Sequence, residues 1–271
     1  MGRILLIDDD PQINEVVKAT LELLGHTVAS VEDAAISRRV FTEFQPDLTL
    51  VDYALPGCSG LDLLKELGSG HPDAIRFLAT GMADFGLLKQ AVAAGASSML
   101  CKPYRMLDLT GLLETAELLD AAIAIEKSGQ LPDDTASALE CPAHQPIQSR
   151  DLARLIAFAH AAGCDPDVTW RRLPVVACEL MRNAATHGSA GSRAPYRVEM
   201  MDCDASLELR VSTSGPPFAW EKTLARARTG VDKSRASGLQ LVLALTEELH
   251  YENEGRLAIA RLSKHLSGAQ E

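Results

Sequence analysis

Asp8, Asp9 and Asp10 follow the apolar run Ile4-Leu5-Leu6-Ile7, and Asp52 follows Leu48-Thr49-Leu50-Val51. Thr80 closes Ile75-Arg76-Phe77-Leu78-Ala79, and Lys102 comes directly after Ser98-Met99-Leu100-Cys101. Each polar residue sits at the C-terminal end of a short run of strand character, and in an open α/β sheet those ends converge on one crevice. Clustered carboxylates repel one another unless a hard cation shares them, and Mg²⁺ takes one or two carboxylates while keeping room for phosphate oxygens. A hydroxyl and an ammonium at the same crevice add a hydrogen-bond donor and a positive charge. The combination suits phosphoryl transfer, where catalysis is mostly positioning and charge stabilisation. Asp8 to Asp10 alone would read as a solvated acidic turn; the ordered set is what points to chemistry.

The elements that must position these residues alternate along the chain. Strands are expected near residues 3–7, 27–30, 47–51, 75–80 and 97–101, with amphipathic helices near 11–24, 33–44, 59–68, 83–94 and 106–126. The last helix carries Leu109, Leu112, Leu113, Ala116, Leu119 and Ile123 on one apolar stripe, long enough for its far end to serve a dimer or an interdomain contact. The expected fold is a doubly wound five-stranded parallel sheet over residues 1–122.

The I-D-D-D turn, the loop Asp52-Tyr53-Ala54-Leu55-Pro56-Gly57-Cys58-Ser59-Gly60, Thr80-Gly81 and Lys102-Pro103 together resemble the flavodoxin-like receiver domain of two-component response regulators. The resemblance implies that Asp52 is the nucleophile that takes a phosphoryl group from a partner's phosphohistidine. It implies that Asp9 and Asp52 ligate Mg²⁺ with the Ala54 carbonyl, and that Asp8 acts mostly through water. Thr80 would hydrogen-bond the new phosphoryl oxygens, and Lys102 would pair with the Asp52 carboxylate and then with the phosphate. One position departs from the family: Met99 stands where an aromatic switch residue is usual, and its flexible thioether can follow Thr80 inward but cannot report its state through a hydroxyl.

At 271 residues, 46% apolar and 23% charged, the chain has the composition of a globular protein with two cores. Aromatics make up 4%, so the cores must rest on Leu, Ala, Val and Ile. The net charge of −11 is uneven, with 9 basic against 18 acidic residues through position 122 and 17 against 19 beyond. Neither half is basic enough for broad nucleic-acid binding, and no helix-turn-helix pattern is present. The six cysteines form no C-x-x-C pair and lack metal-site spacing with histidines, which favours a reduced, cytoplasmic setting. No run reaches the ~20 apolar residues a membrane span needs, and the N-terminus reads as a strand rather than a signal peptide.

Apolar periodicity stops near Lys127-Ser128-Gly129-Gln130-Leu131-Pro132-Asp133-Asp134, so a linker is expected over 123–135 and a second domain over 136–271. A strand is expected near 136–141, a helix over 149–162 and another over 168–187 capped at Gly188. Glu179, Asn183 and His187 then fall at i, i+4 and i+8 on one helix face, able to present a base, a metal-binding amide and an imidazole to one ligand. Hairpins are expected with turns at 202–205 and 253–255.

Glu179-Leu180-Met181-Arg182-Asn183-Ala184-Ala185-Thr186-His187-Gly188 resembles the N box of the Hsp90, histidine-kinase and anti-sigma-factor ATPase superfamily, whose fold is an α/β sandwich. Leu209-Arg210-Val211-Ser212-Thr213-Ser214-Gly215-Pro216-Pro217-Phe218 resembles its V-x-D-x-G-P-P-F segment, and Ser237-Gly238-Leu239-Gln240-Leu241-Val242 the end of its G-x-G-L-G-L-x-L-V box. The resemblance implies that Asn183 ligates Mg²⁺ on ATP phosphates and that Glu179 polarises water or a substrate hydroxyl. It places Thr213, Gly215 and Gly238 around the nucleotide, under a lid over 216–238 in which Lys233 or Arg235 meets phosphate. Three departures weaken it: Thr213 replaces the Asp that contacts the adenine amino group, and Ala236 and Gln240 replace glycines. Losing a charged hydrogen bond costs about 1.5–3 kcal/mol, and a Cβ obstructs close backbone approach to phosphate.

None of the seven histidines stands in an H-E-x-x-x-P context on a dimerising hairpin, which argues against ordinary histidine-kinase activity. The expectation is therefore an atypical response regulator, phosphorylated on Asp52 by a cognate histidine kinase or phosphotransfer protein. Its second domain is either an ATPase or serine kinase, or a degenerate ATPase fold that docks a sigma-factor regulator or a kinase. A homodimer is compatible with the apolar stripe, and neither nucleic acid nor membrane is expected as a partner.

Overall fold

The computed structural model describes residues 2–69, 71, 74–82, 84–129, 137–143, 145, 147–188, 194–229 and 238–265. The chain divides into two compact units, the first ending at Glu117 and the second beginning at Leu118.

The first unit alternates strands and helices as the periodicity predicts. β1 (Arg3–Ile7), β2 (Thr27–Val31), β3 (Leu48–Asp52), β6 (Ile75–Thr80) and β7 (Ser98–Cys101) form one parallel sheet in the order β2-β1-β3-β6-β7, and a two-residue pair, β4 (Ala54–Leu55) and β5 (Cys58–Ser59), forms a small hairpin. Helices α1 (Pro11–Leu23), α2 (Ala34–Phe44), α3 (Gly60–Ser69), α4 (Phe85–Ala93) and α5 (Met106–Lys127) connect and follow the strands. Strands covered on both faces read as continuous apolar runs, and every residue of β3 and β6 is buried accordingly. The order reverses between β1 and β3, so the crevice opens at their C-terminal ends.

Three aspartates start helices instead of lining the crevice. Asp10 accepts the Gln12 N–H at 2.9 Å ahead of Pro11, Asp33 caps α2 and Asp84 caps α4, each satisfying donors that a helix start leaves free. α5 runs to Lys127, so the first residues of the expected 123–135 linker are helical, and 130–136 lie outside the described residues.

The second unit contains an antiparallel sheet in the order β11-β12-β10-β9-β8, built from β8 (Ala138–Cys141), β9 (Tyr196–Cys203), β10 (Ser206–Ser212), β11 (Glu248–Glu252) and β12 (Leu257–Ser263). Both expected hairpins form, with Asp204, Asn253 and Glu254 in left-handed turns. One face alternates Leu207, Leu209 and Val211 into the core with α6 (Ser149–Ala161), α7 (Leu173–Asn183) and α9 (Gly238–Leu245); the other carries Glu208, Arg210 and Arg261, joined at 2.8 Å. α8 (Trp220–Thr229) lies between the last two blocks of sheet in sequence.

The expected helix over 168–187 exists but is not uniformly α-helical. Val168–Arg172 is wound as a π-helix, with the Leu173 N–H reaching the Val168 carbonyl, and Ala184–Gly188 is wound the same way beyond α7. Pro174 explains the first, because it cannot donate to the Trp170 carbonyl and its ring crowds that turn. The second changes the register after Asn183.

Candidate functional site

In the first unit the strand ends do converge. Lys102 Nζ lies 2.6 Å from Asp8 Oδ2 and 2.9 Å from Asp52 Oδ1, and all three side chains are largely buried. Asp8, Asp9 and Asp52 each offer a carboxylate oxygen within 4.8 Å of the others, with Asp9 exposed on the outer side. Hard oxygen donors at this spacing fit Mg²⁺. Asp8 Oδ1 also accepts the Asp10 N–H at 3.1 Å, and Asn14 Nδ2 donates to the Asp8 carbonyl at 2.7 Å, fixing the start of α1 against the crevice.

Burial pushes the Asp8 carboxyl above its ordinary range, and its bonds to Lys102 and the Asp10 N–H offset only part of that. Burial alone would lower Lys102, but hydrogen bonds and charge from Asp8 and Asp52 outweigh it and hold the ammonium above its ordinary value. Lys102 is therefore a fixed positive charge at physiological pH.

The loop after Asp52 is shaped by backbone contact. Gly60 donates to the Tyr53 carbonyl at 3.0 Å, and a Cβ built on it would stand 2.1 Å from the Asp52 carbonyl oxygen. Gly57 turns the hairpin at φ +72°, and Ala54, whose carbonyl was expected among the metal ligands, is exposed and paired with Ser59. Thr80 is buried at the strand end, but its hydroxyl donates to the Met82 carbonyl at 2.9 Å and accepts the Met82 N–H at 3.1 Å. Met99 is 2% exposed and lies inside the core. Tyr104 borders Asp8 and Asp52; burial, then those two carboxylates, push its phenol far above the ordinary range. Sequence reasoning passed over Tyr104, although its place two residues after Lys102 was the available signal.

In the second unit a cavity of about 390 Å³ is lined by Asn183, His187, Thr213, Phe218, Tyr251 and Arg256 among a majority of apolar residues. Thr213 packs against Gly188, where a Cβ would meet the Thr213 methyl at 2.4 Å. Phe218 packs against Gly255 and meets Tyr251 edge to face at 5.4 Å, and burial raises the Tyr251 phenol to about 12. Arg256 Nε donates to the Gly215 carbonyl at 2.8 Å, so Gly215 borders the site through its backbone. The expected row is divided: Asn183 and His187 line the cavity, whereas Glu179 is 9% exposed, paired with Arg182 at 3.0 Å and packed on Gly238. Gln240 is buried outside the lining, and Lys233, Arg235 and Ala236 lie outside the described residues. Tyr251 and Arg256 come from the last hairpin and were not among the residues the motifs single out.

Residues 4–114 match the family model of the response regulator receiver domain, and residues 144–264 match that of the histidine kinase-like ATPase domain. The chain joins a response regulator receiver domain to a histidine kinase-like ATPase domain. The receiver domain is the five-stranded parallel unit, and the ATPase-like domain is the antiparallel sheet with its helices.

Similar curated proteins include the C4-dicarboxylate transport transcriptional regulatory protein DctD of Pseudomonas aeruginosa, 35% identical over 102 residues, 38% of this chain and 22% of that protein. The transcriptional regulatory protein KdpE of Mycobacterium tuberculosis is 32% identical over 124 residues, 46% of this chain and 54% of that protein. The chain thus spans between about a fifth and about half the length of these relatives. A crystal structure of a response regulator receiver domain protein from Clostridium thermocellum is 30% identical, covering 43% of this chain and 94% of that one, with a TM-score of 0.41. Among the described residues no helix is long and apolar enough to cross a membrane.

Proposed function

We propose that the protein is a phosphorylation-controlled regulator in which Asp52 accepts a phosphoryl group and the ATPase-like domain is the output. The observation that carries the first half is the bridging of Asp8 and Asp52 by Lys102, with an Asp9 carboxylate oxygen within 4.8 Å of theirs. Lys102 engages Asp52 Oδ1, and the other carboxylate oxygen attacks phosphorus while the bond from phosphorus to the donor's imidazole nitrogen breaks and that nitrogen takes up a proton. Asp8, Asp9 and Asp52 with the Ala54 carbonyl would hold Mg²⁺, which supplies charge to offset the phosphoryl oxygens. Lys102 and, after release from Met82, the Thr80 hydroxyl bind the transferred group. The donor is a histidine kinase or phosphotransfer protein, and the setting is cytoplasmic.

Incubation with acetyl phosphate and Mg²⁺ tests the assignment. Label should enter the wild type and be absent from Asp52→Asn, and Asp9→Ala should remove the reaction together with its Mg²⁺ dependence. Label persisting in Asp52→Asn would sink it.

For the output, Asn183, Thr213 and the aromatic walls of the cavity support binding of a nucleotide base. A second reading, a docking module without turnover, is favoured by the withdrawal of Glu179 from the cavity into its pair with Arg182. Mg-ATP hydrolysis that is lost in Glu179→Gln would decide for the enzyme; absence of turnover in wild type with a phosphoryl mimic at Asp52 would decide for the module. The sigma-factor regulator or kinase expected as partner belongs to either version.

A further inference from the structure

Asn14 is a polar residue on the buried face of α1. The helix buries Asn14, Val17 and Leu21, three positions that share one face, and the other two are apolar. Asn14 is 5% exposed, so its amide has left water and needs partners inside the protein. Half of that need is met, since Nδ2 donates to the Asp8 carbonyl at 2.7 Å. The same bond decides which way the amide faces, because a carbonyl can only accept. Oδ1 is then a buried acceptor with no hydrogen-bond partner among the described residues.

Asn14 lines a cavity of about 10 Å³ beneath the phosphoacceptor. Leu6 and Leu50 are register partners on β1 and β3, and Asp8 and Asp52 follow them by two residues, so all four side chains lie on the face of the sheet that borders this cavity. Tyr104 completes its polar lining. A buried water needs roughly 10–15 Å³ and two to four polar partners. Both Asp8 oxygens are engaged, Oδ1 by the Asp10 N–H and Oδ2 by Lys102, whereas among the described residues the Asp52 carboxylate is bonded only by Lys102, at Oδ1. One water can therefore donate to Asn14 Oδ1 and to Asp52 while it accepts from the Tyr104 phenol, which is protonated at neutral pH.

We propose that a single buried water bridges Asn14 Oδ1, the Tyr104 hydroxyl and the Asp52 carboxylate, and that through it Asn14 and Tyr104 are positioning residues for phosphoryl transfer. This rests on the phosphoacceptor reading of Asp52. The terminal torsion of an aspartate is broad, so a carboxylate tied at one oxygen still turns; a second tether fixes which lone pair faces the incoming phosphorus. The water stays on the core side and takes no part in the bond exchange.

One measurement of the water and one of the chemistry test it on the full chain. Magnetic relaxation dispersion should count one long-lived water fewer in Asn14→Leu, whose side chain fills similar space without polar atoms. Tyr104→Phe and Asn14→Leu, each checked by circular dichroism, should lower the maximal rate of labelling by acetyl phosphate about threefold to tenfold, with the Mg²⁺ half-saturation unchanged within about twofold. Because both act through one water, the double variant should be no slower than the slower single one, whereas independent losses would multiply. Tyr104→Phe keeps the ring and decides the question by itself if Asn14→Leu does not fold. Equal water counts in wild type and folded Asn14→Leu, a wild-type rate in Tyr104→Phe, or multiplied losses in the double variant would overturn the proposal and leave Asp52 as the phosphoacceptor. Label persisting in Asp52→Asn would overturn the phosphoacceptor reading, and the positioning role with it.

Discussion

Gly60 has no room for a side chain, because the Asp52 carbonyl oxygen occupies the place where a Cβ would stand, 2.1 Å away. Gly60→Ala must push the helix start off the strand end, and overpacking of this kind costs about 1–3 kcal/mol. Thermal denaturation should show that loss, and labelling by acetyl phosphate should slow, since the same shift moves Asp52. In the ATPase-like domain the sensitive residue is Asp167, whose carboxylate holds Arg171 at 2.6 Å and Arg172 at 2.8 Å while the Arg171 side chain is 3% exposed. Burial alone would raise the Asp167 carboxyl, but hydrogen bonds and charge from Arg171 and Arg172 outweigh it and hold it below the ordinary range. A depressed carboxylate contributes stability that is full above its unfolded value, about 3.9, and is lost as pH falls through the lower folded value. Asp167→Asn should destabilise the domain at neutral pH, measured by urea unfolding, because it removes the carboxylate that pairs with the buried Arg171 guanidinium and with Arg172. The difference from wild type should shrink toward pH 3.

At the scale of elements, phosphorylation at Asp52 should act on the strand-to-helix connection after β6. Thr80 spends its hydroxyl on the Met82 backbone, and Met82 is 75% exposed, so turning the hydroxyl to a phosphoryl group frees the whole connection to α4. Beryllofluoride at Asp52 should therefore alter amide exchange at residues 81–88; identical exchange with the mimic bound would show that Thr80 stays on Met82. β7 behaves differently. Met99 is already part of the sealed core, and truncating a buried side chain of this size costs about 2–5 kcal/mol. Met99→Ala should lower the unfolding midpoint accordingly yet still accept label from acetyl phosphate, which separates packing from chemistry at this position.

For the whole molecule, α5 is the element to watch, since the division between the two compact units falls within it, at Glu117 and Leu118. It begins four residues after Lys102, and Leu109 and Leu113 in its first half and Leu119, Ala122 and Ile123 in its second are buried. If phosphorylation alters its first turns, the hydrogen-bonded backbone of α5 offers a route by which the change could reach its second half. The response is limited by the differential stability of the two states, about 1–3 kcal/mol. A phosphoryl mimic should change either the mass in solution or exchange over residues 106–129. Unchanged mass and exchange, with the mimic shown to occupy Asp52, would mean that the domains act independently.

The receiver fold and its site were legible in the chain because their information is local. A buried parallel strand writes itself as an apolar run, and the residue that ends each run is delivered to the crevice by topology, so the meeting of Asp8, Asp52 and Lys102 is legible in the sequence. The ATPase-like domain was legible as elements, since its hairpins carry turn residues and its strands alternate. What the sequence could not fix was direction. Asp10 turned to cap α1, Met99 faced the core, and Thr80 bonded to Met82, each set by a neighbour that only chain folding supplies. The row Glu179, Asn183 and His187 looked like one face because α-helical spacing repeats every 3.6 residues; Asn183 and His187 stay together across the π-helical turn that follows Asn183, whereas Glu179 packs on Gly238 and pairs with Arg182. Residue types and their order determined which groups meet in this protein. Which way each group points was decided by packing, because a side chain's rotamer answers to contacts far away in sequence.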